Sequence, residues 1–363
     1  MKIKAALSAR PDAPFEIAEL ELDEPRDDEV LVEISAVGIC HSDLTMKQVW
    51  PEAISPIVLG HEGAGVVVAT GAGVSTTRPG DHVVLSYRSC GACSECSAGY
   101  PAYCRDFRAM NGIGSRPDGS ATMRRANGPV YGSYFGQSSF ASHALAYESN
   151  VVVIDPALDL QIAAPLGCGV QTGVGTVLGV LQPGEDASLV VFGAGAVGLS
   201  AVMAAAATGV GTIVAVDPVP ERRALAVELG ASMALDPAGD PVVAAVRELT
   251  DGGATHAIDT TAKGAVINQA IEALAPRGTL ALLGIGIPAF ELNVRELISA
   301  GKTVRGVIEG EAVPRRFIPR LLDLHADGRL PVEKLIQTYE FDAIDTAFAD
   351  AASGRTIKPV LVL

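Results

Sequence analysis

The amino-acid sequence predicts an α/β protein with two differently built parts, an all-β, barrel-like part and a doubly wound parallel sheet. Residues 1 to about 155 hold short β-branched runs such as VLVEISAVG and GVVVATG, separated by Gly, Pro and Asp. Runs of this kind with little helical periodicity indicate a β barrel or sandwich. From about residue 187, apolar strand segments alternate with helical segments, which is typical of parallel βαβ units. At 363 residues the chain is also longer than one core usually is.

The alternation of the second part follows a regular order. It runs through SLVVFG, VGLSAVMAAAATG, TIVAVD, PERRALAVELG, MALD, DPVVAAVRELTD, THAIDT, GAVINQAIEALAP and TLALLG. The strand segments are almost entirely apolar, as expected of strands that helices cover on both faces. After about residue 305 the sequence predicts a helix over PRRFIPRLLDLHADG and a β-rich tail over TIKPVLVL.

The charge of the chain limits its partners. A net charge of −15 disfavours nucleic acid and anionic membrane surfaces. The stretch 187–216 is uncharged and long enough to span a bilayer, but its glycines divide it into strand, turn, helix and strand. The first residues contain no apolar run of the length that a signal peptide has. We therefore expect no membrane partner and a cytoplasmic protein whose thiols stay reduced.

A glycine-rich motif marks a dinucleotide site. GAGAVG follows a predicted strand and opens a predicted helix, and its glycines are Gly193, Gly195 and Gly198. In that context glycines allow a tight turn, close approach of a pyrophosphate and close helix–strand packing. Asp217 ends the next strand, where a carboxylate accepts hydrogen bonds from ribose hydroxyls and repels a 2′-phosphate. This favours NAD, although Arg222 and Arg223 leave minor NADP use open. A glycine-rich turn without a ligand remains the alternative.

Four of the six cysteines lie in one short segment, CGACSECSAGYPAYC. They are Cys90, Cys93, Cys96 and Cys104. The two-residue gaps suit tetrahedral zinc, and a closed set of four thiolates leaves no position for substrate. The segment therefore predicts a structural zinc, with disulfides, redox thiols and an iron–sulfur cluster as alternatives.

The other two cysteines and one histidine form a second candidate metal set. Cys40 lies in GICHSD, His61 in LGHEGAGVV and Cys168 in PLGCGVQTG. Two thiolates and an imidazole with an open fourth position are a catalytic zinc set. Spacing alone leaves the alternative that these residues, like the remaining histidines, belong to the core.

Six features occur in a fixed order: GICHSD, GHEGAGVV, the four-cysteine segment, CGVQTGVG, GAGAVG and Asp217. In this order the chain resembles the zinc-dependent medium-chain alcohol dehydrogenases over essentially its whole length. The resemblance implies a GroES-like catalytic domain over residues 1–157 and 306–363, with the structural-zinc lobe at about 88–107. It implies a Rossmann NAD-binding domain over residues 158–305.

The resemblance also implies roles for single residues. A catalytic zinc would be bound by Cys40, His61 and Cys168, and transiently by Glu62. Asp43 would hold the imidazole of the zinc-bound histidine, and Ser42 would contact the substrate oxygen and begin a proton relay through the nicotinamide ribose. Where well-known family members end this relay on a histidine, this chain has Thr45.

Further implied contacts concern the cofactor. Thr172 and Val197 would line the nicotinamide, Lys358 would contact the pyrophosphate, and His41 is a second candidate for that contact. With two zinc ions and NAD per subunit, the implied reaction is reversible oxidation of primary alcohols through a zinc alkoxide, with hydride transfer to nicotinamide C4. A homo-oligomer is also implied, a tetramer rather than a dimer, formed through the sheet edge near TVRGVIEG.

Two segments indicate a particular branch of this family. YGSYFGQSSFASHALAYESNVV and GCGVQTGVGTVLGVLQPGE resemble the aryl-alcohol (benzyl-alcohol) dehydrogenase branch, whose relatives act on allylic terpenoid alcohols such as geraniol. One alternative is a glutathione-dependent formaldehyde dehydrogenase, because Arg108, Arg116, Arg124 and Arg125 offer charges for glutathione carboxylates. Another is a non-enzymatic NAD-binding zinc protein that senses redox state.

Overall fold

The chain forms two compact units in a computed structural model that describes residues 1–286 and 289–363. The first unit comprises Met1–Cys168, Val313–Arg320 and Val332–Leu363, and the second comprises Gly169–Ala312 and Leu321–Pro331. The first holds two sheets that are antiparallel apart from one strand pair, and the second holds one parallel sheet. The predicted α/β fold class is confirmed.

The strands can be numbered along the chain. They are β1 Lys2–Ser8, β2 Glu16–Leu22, β3 Glu29–Gly38, β4 Ile57–Val58, β5 Glu62–Thr70, β6 His82–Leu85, β7 Met123–Arg125, β8 Gly128–Val130, β9 His143–Tyr147, β10 Val151–Ile154, β11 Ser188–Phe192, β12 Thr212–Val216, β13 Met233–Leu235, β14 Ala254–Asp259, β15 Leu274–Leu282, β16 Thr303–Gly306, β17 Ile336–Glu340 and β18 Lys358–Val362. In the first unit the sheet orders are β4-β1-β2-β7-β8 and β10-β6-β5-β3-β18-β17, with β9 paired to β3. In the second unit the order is β13-β12-β11-β14-β15-β16.

The helices are numbered in the same way. They are α1 His41–Val49, α2 Ser94–Ser97, α3 Phe107–Asn111, α4 Leu160–Ala163, α5 Gly169–Gly175, α6 Ala196–Ala207, α7 Pro220–Glu228, α8 Val242–Leu249, α9 Gly264–Ala273, α10 Val294–Ala300, α11 Pro314–Ala326 and α12 Ile344–Ser353. Within the described residues no single helix has the length and hydropathy of a membrane span. One pair bent by 60°, Leu160–Gly167 with Gly169–Leu181, meets those criteria together.

The long central strand β3 organises the first unit. It pairs antiparallel with β5, β9 and β18, and the pairing places Gly38 opposite Glu62. β3 therefore ends two residues before Cys40 at the same end of the sheet where β5 begins, one residue after His61. Antiparallel strands run in opposite directions, so the end of β3 lies beside the start of β5. Cys40 and His61, which are 21 positions apart in the sequence, therefore come together there.

The second unit follows the predicted alternation of strands and helices. β11 pairs in parallel with β12 and β14, so the carboxyl ends of these strands lie at one edge of the sheet. Ligands of open parallel sheets bind outside that edge. The helix predicted over GAVINQAIEALAP is shorter than expected, because α9 ends at Ala273 and β15 begins at Leu274. Pro276 cannot continue a helix interior, which agrees with the earlier end.

The sequence pattern did not predict the glycine-rich helix α5 or the π-helical turn Thr176–Leu181 that follows it. Glycine is a poor helix former, so GVQTGVG favours a loop on propensity alone. Packing explains why this helix contains glycine: a Cβ on Gly173 would lie 2.2 Å from the carbonyl oxygen of Val197 on α6. The glycines of α5 therefore allow close helix–helix packing.

A buried ion-pair cluster fastens the long segment 107–131 to the start of β3. The guanidinium of Arg116 is 1% exposed and binds Glu29 with Nε–Oε1 at 2.7 Å and Nη2–Oε2 at 2.9 Å. Its Nη1 also donates to Asp23 at 2.8 Å. These hydrogen bonds and charges outweigh the effect of burial and raise the pKa of Arg116. One arginine therefore fixes the position of this segment.

We predict that Arg116→Met destabilises the protein by about 3–5 kcal/mol, because the buried Glu29 carboxylate loses its ion pair and keeps only the hydrogen bond from Arg26 N. Arg124→Met is the matched control, since Arg124 also binds Asp23 but its side chain is 58% exposed; it should change stability little. Denaturant unfolding of the two variants measures the difference. Equal unfolding midpoints would contradict the assignment.

Candidate active site and cofactor site

A buried cluster of four potential ligands lies at the end of the β3–β5 pair. Cys40, His61, Glu62 and Cys168 each bring one ligand atom within 4.8 Å of the others. His61, Glu62 and Cys168 are buried, and Cys40 is partly buried. All four belong to the first unit. Every candidate ligand of the predicted catalytic zinc is thus in one place.

The Asp43 carboxylate orients this cluster. It accepts hydrogen bonds from Cys40 N at 3.0 Å and Gly60 N at 3.2 Å, and His61 Nδ1 lies 3.0 Å from Oδ1. The proton on Nδ1 leaves Nε2 with a lone pair, and this buried nitrogen has no hydrogen-bond partner among the described residues. An imidazole nitrogen without a partner, aimed at two thiols, fits a zinc ion.

Charge is shared unevenly within the cluster. A hydrogen bond from Cys168 lowers the pKa of the Cys40 thiol well below its ordinary value, against the effect of burial, and the charges of Lys358 and His61 act in the same direction. Burial alone would lower the pKa of His61, but Asp43 and Cys40 outweigh it and raise that pKa. These effects favour negative charge on the Cys40 thiol beside His61, and a divalent cation is a suitable partner for that charge.

Lys358 lies against Glu62 behind the cluster. Its Nζ is 2.9 Å and 2.8 Å from the two carboxylate oxygens of Glu62 and donates to Ile39 O at 3.2 Å. Burial raises the pKa of Glu62, while the charge of Lys358 lowers it. Burial lowers the pKa of Lys358, but Glu62 and Cys40 outweigh it and raise that pKa. The predicted pyrophosphate contact of Lys358 therefore competes with an ion pair that is already formed.

Aromatic rings surround His61, and the sequence reasoning did not identify them. Phe135 stacks on the imidazole with ring centroids 4.5 Å apart and an interplanar angle of 29°, and Tyr134 meets it edge-on at 5.5 Å. Phe107 and Trp50 contact these two rings in turn. Phe135 has a φ of 52°, a left-handed conformation that is costly for a bulky residue. In the sequence, the adjacent Tyr and Phe of YGSYFGQSSF were the feature that could have indicated these rings.

The residues predicted for proton transfer lie on α1. Ser42 Oγ is 3.5 Å from Cys40 Sγ. The hydroxyl of Thr45 donates to the carbonyl of His41 at 3.1 Å, so its proton is already committed to the helix backbone. His41 is exposed at the first position of α1.

The four-cysteine segment forms a second cluster within the first unit. Cys90, Cys93, Cys96 and Cys104 lie with their sulfurs within 4.8 Å of one another, and Cys90 Sγ is 3.9 Å from Cys96 Sγ. Four sulfurs at about 2.3 Å from one zinc ion would be about 3.8 Å apart. A disulfide needs about 2.05 Å. Backbone N–H groups of Cys96 and Arg105 lower the pKa of Cys93 to about 6. The geometry fits one tetrahedral ion.

The glycine-rich turn lies between β11 and α6 in the second unit. Gly193 has a φ of 93°, and a Cβ on Gly198 would lie 1.9 Å from the carbonyl oxygen of Gly193. Both positions therefore require glycine. Gly195 precedes the first residue of α6, so the N-terminus of this helix is available for a phosphate.

Asp217 lies beside this turn at the end of β12. Its carboxylate accepts hydrogen bonds from Ala194 N at 2.7 Å and from Val219 N at 2.9 Å. Arg222 Nη1 is 3.9 Å from Asp217 Oδ2, whereas Arg223 binds Asp217 O at 2.8 Å and Asp236 at 3.1 Å. The backbone holds Asp217 in one orientation, as a residue that reads ribose hydroxyls requires.

Thr172 and Val197 lie on neighbouring helices of the second unit. Thr172 is on α5 and Val197 is on α6, and these helices pack closely at Gly173. Ser200, one turn along α6, donates its hydroxyl to Ala196 O at 2.6 Å. The two residues predicted to contact the nicotinamide therefore lie on two helices that pack against each other.

A β unit with a Cys₂His cluster and a Cys₄ lobe, together with a parallel-sheet unit carrying a dinucleotide turn, defines a zinc-binding dehydrogenase. The family model described as "Alcohol dehydrogenase GroES-like domain" matches residues 26–155, and the one described as "Zinc-binding dehydrogenase" matches residues 196–327. The chain belongs to the zinc-dependent medium-chain alcohol dehydrogenase family. As a member it is an enzyme that uses zinc and NAD to interconvert alcohols and carbonyl compounds.

Four similar proteins place the chain within the family. It is 44% identical to the geraniol dehydrogenase of Castellaniella defragrans, over 99% of this chain and 97% of that protein. It is 33% identical to an S-(hydroxymethyl)glutathione dehydrogenase of Photobacterium damsela subsp. piscicida, over 99% of this chain and 100% of that protein. Two crystal structures cover 100% of this chain and 99% of theirs, each with a TM-score of 0.96. They are an alcohol dehydrogenase zinc-binding domain protein from Burkholderia ambifaria (46% identity) and the benzyl alcohol dehydrogenase of Acinetobacter calcoaceticus (39%).

The two ligand clusters predict two zinc ions per chain and almost no reactive thiol in the native enzyme. Cys168→Ala should lose one zinc, keep the fold and the other zinc, and lose alcohol oxidation. Elemental analysis and thiol titration, before and after denaturation with a chelator, measure this. One zinc in the wild-type enzyme, or two in the variant, would show that the cluster at His61 is not a metal site.

Proposed function

We propose that this enzyme oxidises primary aromatic or allylic alcohols, of the benzyl alcohol or geraniol type, to aldehydes with NAD, and catalyses the reverse reaction. The observation that carries the proposal is the group of aromatic rings around His61. The chain has only one Trp, seven Tyr and nine Phe, yet Trp50, Phe107, Tyr134 and Phe135 connect to one another at this histidine. Phe107 and Phe135 are partly exposed, whereas Trp50 and Tyr134 belong to the buried core. Accessible flat apolar side chains favour flat apolar substrates.

The proposed zinc ligands are Cys40, His61 and Cys168. When bound, zinc supplies a Lewis acid that makes the alcohol hydroxyl more acidic and polarises the aldehyde carbonyl in the reverse direction. Glu62, held by Lys358, would be available as a transient fourth ligand through its carboxylate. Asp43 keeps the proton of His61 on Nδ1, so that Nε2 stays free for the metal.

The proton of the alcohol leaves through Ser42. Its hydroxyl lies beside Cys40 Sγ, accepts the substrate proton at Oγ and passes its own proton to the nicotinamide ribose. Thr45 cannot end the relay, because a hydroxyl that accepts a proton must pass one on, and the Thr45 hydroxyl already donates its proton to His41 O. With NAD bound, the proton would reach water through the ribose hydroxyls or be taken up by another base.

The same proposal assigns residues to the binding of NAD. The pyrophosphate lies on the turn of Gly193, Gly195 and Gly198, with His41 as a further contact. Lys358 would contact it only by leaving Glu62. Asp217 accepts hydrogen bonds from the adenosine ribose, and Arg222 beside it permits some use of NADP. Thr172 and Val197 line the nicotinamide.

The glutathione-dependent alternative is less well supported. Three of its four candidate arginines are engaged with carboxylates of this chain: Arg116 with Glu29, Arg124 with Glu21, and Arg125 with Glu16. Arg108 is exposed on the short helix α3. Guanidinium groups that are already neutralised attract the carboxylates of glutathione only weakly. The redox-sensor alternative gains no specific support.

Substrate comparison tests the proposal. Burying the ring of benzyl alcohol is worth about 1.5–3 kcal/mol, so kcat/KM with NAD should exceed that for ethanol by about 10- to 150-fold. NADP should support a small fraction of the rate with NAD. Phe135→Leu should reduce the preference for benzyl alcohol. Phe348→Leu, in a separate ring cluster with Phe15 and Phe140, should not.

Equal turnover of ethanol would refute the aromatic assignment. Glutathione-dependent oxidation of formaldehyde at a higher kcat/KM would establish the alternative instead.

We propose further that the chain forms a cytoplasmic homo-oligomer, a tetramer rather than a dimer. Cysteine clusters of this kind need a compartment that keeps thiols reduced. β16 is the last strand of its sheet in the described part of the chain. Apolar side chains nearby in the sequence are exposed: Ile298 at 77%, Ile285 at 68% and Val294 at 55%. A strand at the edge of a sheet, with exposed apolar residues near it, favours association with a second copy.

Ile298→Glu should therefore lower the mass of the native particle, because it places a charge within the proposed interface. Val227→Glu is the control, since Val227 is 51% exposed on α7 of the same unit. Light scattering after size-exclusion chromatography measures both. An unchanged mass for Ile298→Glu would argue against this surface as the interface.

A further inference from the structure

The side-chain amide of Gln137 is completely buried and joins separate segments of the first unit. Its Nε2 donates to His61 O at 3.0 Å and to Ser86 O at 3.1 Å. Its Oε1 accepts from Gly63 N at 3.2 Å and from Ser139 Oγ at 2.6 Å. The partners determine the orientation of the amide, because two carbonyls need its NH₂ group and two donors need its oxygen.

The same amide leads to a second proposed zinc ligand. The carbonyl of Ser86 accepts from both Gln137 and Asn150, and its hydroxyl donates to Gly167 O at 2.6 Å. Gly167 immediately precedes Cys168. A continuous chain of hydrogen bonds thus runs from the backbone of His61 through Gln137 and Ser86 to the residue before Cys168. Gln137, Ser86 and Gly167 each belong to the unit that holds the ligands.

We infer that Gln137 is a positioning residue that sets the distance between the His61 and Cys168 ligands. The inference rests on the proposed catalytic zinc. His61 and Cys168 are 107 positions apart in the sequence, so no local structure fixes their separation. Asp43 holds the ring of His61 and the backbone of Cys40 and Gly60. Gln137 instead connects the backbone of His61, through Ser86, to the residue before Cys168. Metal geometry tolerates errors of only about 0.5 Å in such positions.

A purely structural role would give a different result. Loss of four buried hydrogen bonds lowers stability wherever they lie. A positioning role predicts in addition that the zinc at His61 is weakened while the zinc of the four-cysteine segment is not. The second zinc is therefore an internal reference within each molecule.

The experiment compares zinc retention in the oligomer as purified. Gln137→Met keeps the length of the side chain and removes its hydrogen bonds. Lys302→Met is the control, since Lys302 is a buried side chain that donates to Ile271 O at 2.7 Å and to Glu296 at 2.5 Å. It belongs to the second unit, whereas both ligand clusters belong to the first. Each protein is dialysed against increasing dipicolinate, and zinc is counted. The Gln137 variant should release one zinc at about 10- to 100-fold lower chelator, as loss of groups behind metal ligands typically causes.

The control and the second zinc of each protein should behave as in the wild-type enzyme. Cobalt exchanged into the released site should give a shifted absorption spectrum in Gln137→Met. Ser86→Ala, which removes one hydroxyl, should also release this zinc at lower chelator, but with a smaller shift. It replaces Gln137→Met in the experiment if that variant does not fold. Wild-type chelator resistance in Gln137→Met, or in Ser86→Ala if that variant has to serve, would overturn the inference. A wild-type enzyme with one zinc would instead overturn the proposed catalytic site.

Discussion

The Asp43 carboxylate is fully buried, and three groups from different parts of the first unit point to it. Cys40 N, Gly60 N and the ring of His61 all lie within 3.2 Å of its oxygens. A buried carboxylate is tolerated only with such partners. Because each partner is next to or part of a proposed zinc ligand, the hydrogen bonds that make Asp43 acceptable also determine where the ligands lie. The β3–β5 pairing brings the segments together, and Asp43 sets their final distance.

The charges around this carboxylate explain why the site suits a divalent cation. Lys358 forms an ion pair with Glu62, and the carboxylate of Asp43 interacts with the ring of His61. The remaining negative charge is on the Cys40 thiol, whose pKa is lowered by Cys168 first and by neighbouring cations after it. A second thiol beside it offers another negative charge once its proton leaves. A dication at this point compensates both sulfurs, so metal binding and stability of this region are coupled.

The sequence was sufficient for features that depend on local pattern. The strand–turn–helix context of Gly193 and Gly198, the two-residue spacing of Cys90, Cys93 and Cys96, and the apolar parallel strands each follow from neighbouring residues. Contacts between segments that are far apart in the sequence could not be predicted in this way. Lys358 and Glu62 are 296 positions apart, and Gln137 and His61 are 76 apart. The arginine at 116 illustrates the same limit, because a loop arginine is usually solvated and this one is buried against Glu29.

The segment 134–139 performs two tasks that would otherwise be independent. Phe135 gives its ring to the face of His61, and two residues later Gln137 gives its amide to the backbone of the same residue. Both depend on left-handed backbone at Phe135 and Ser138, which costs about 1–3 kcal/mol per residue. Asn150 binds Phe135 O, and Ser138 Oγ binds Val58 O, so side-chain hydrogen bonds offset that cost. A change that relaxes this segment to admit another substrate therefore also moves the amide behind His61, and substrate preference and metal geometry are linked through six residues of chain.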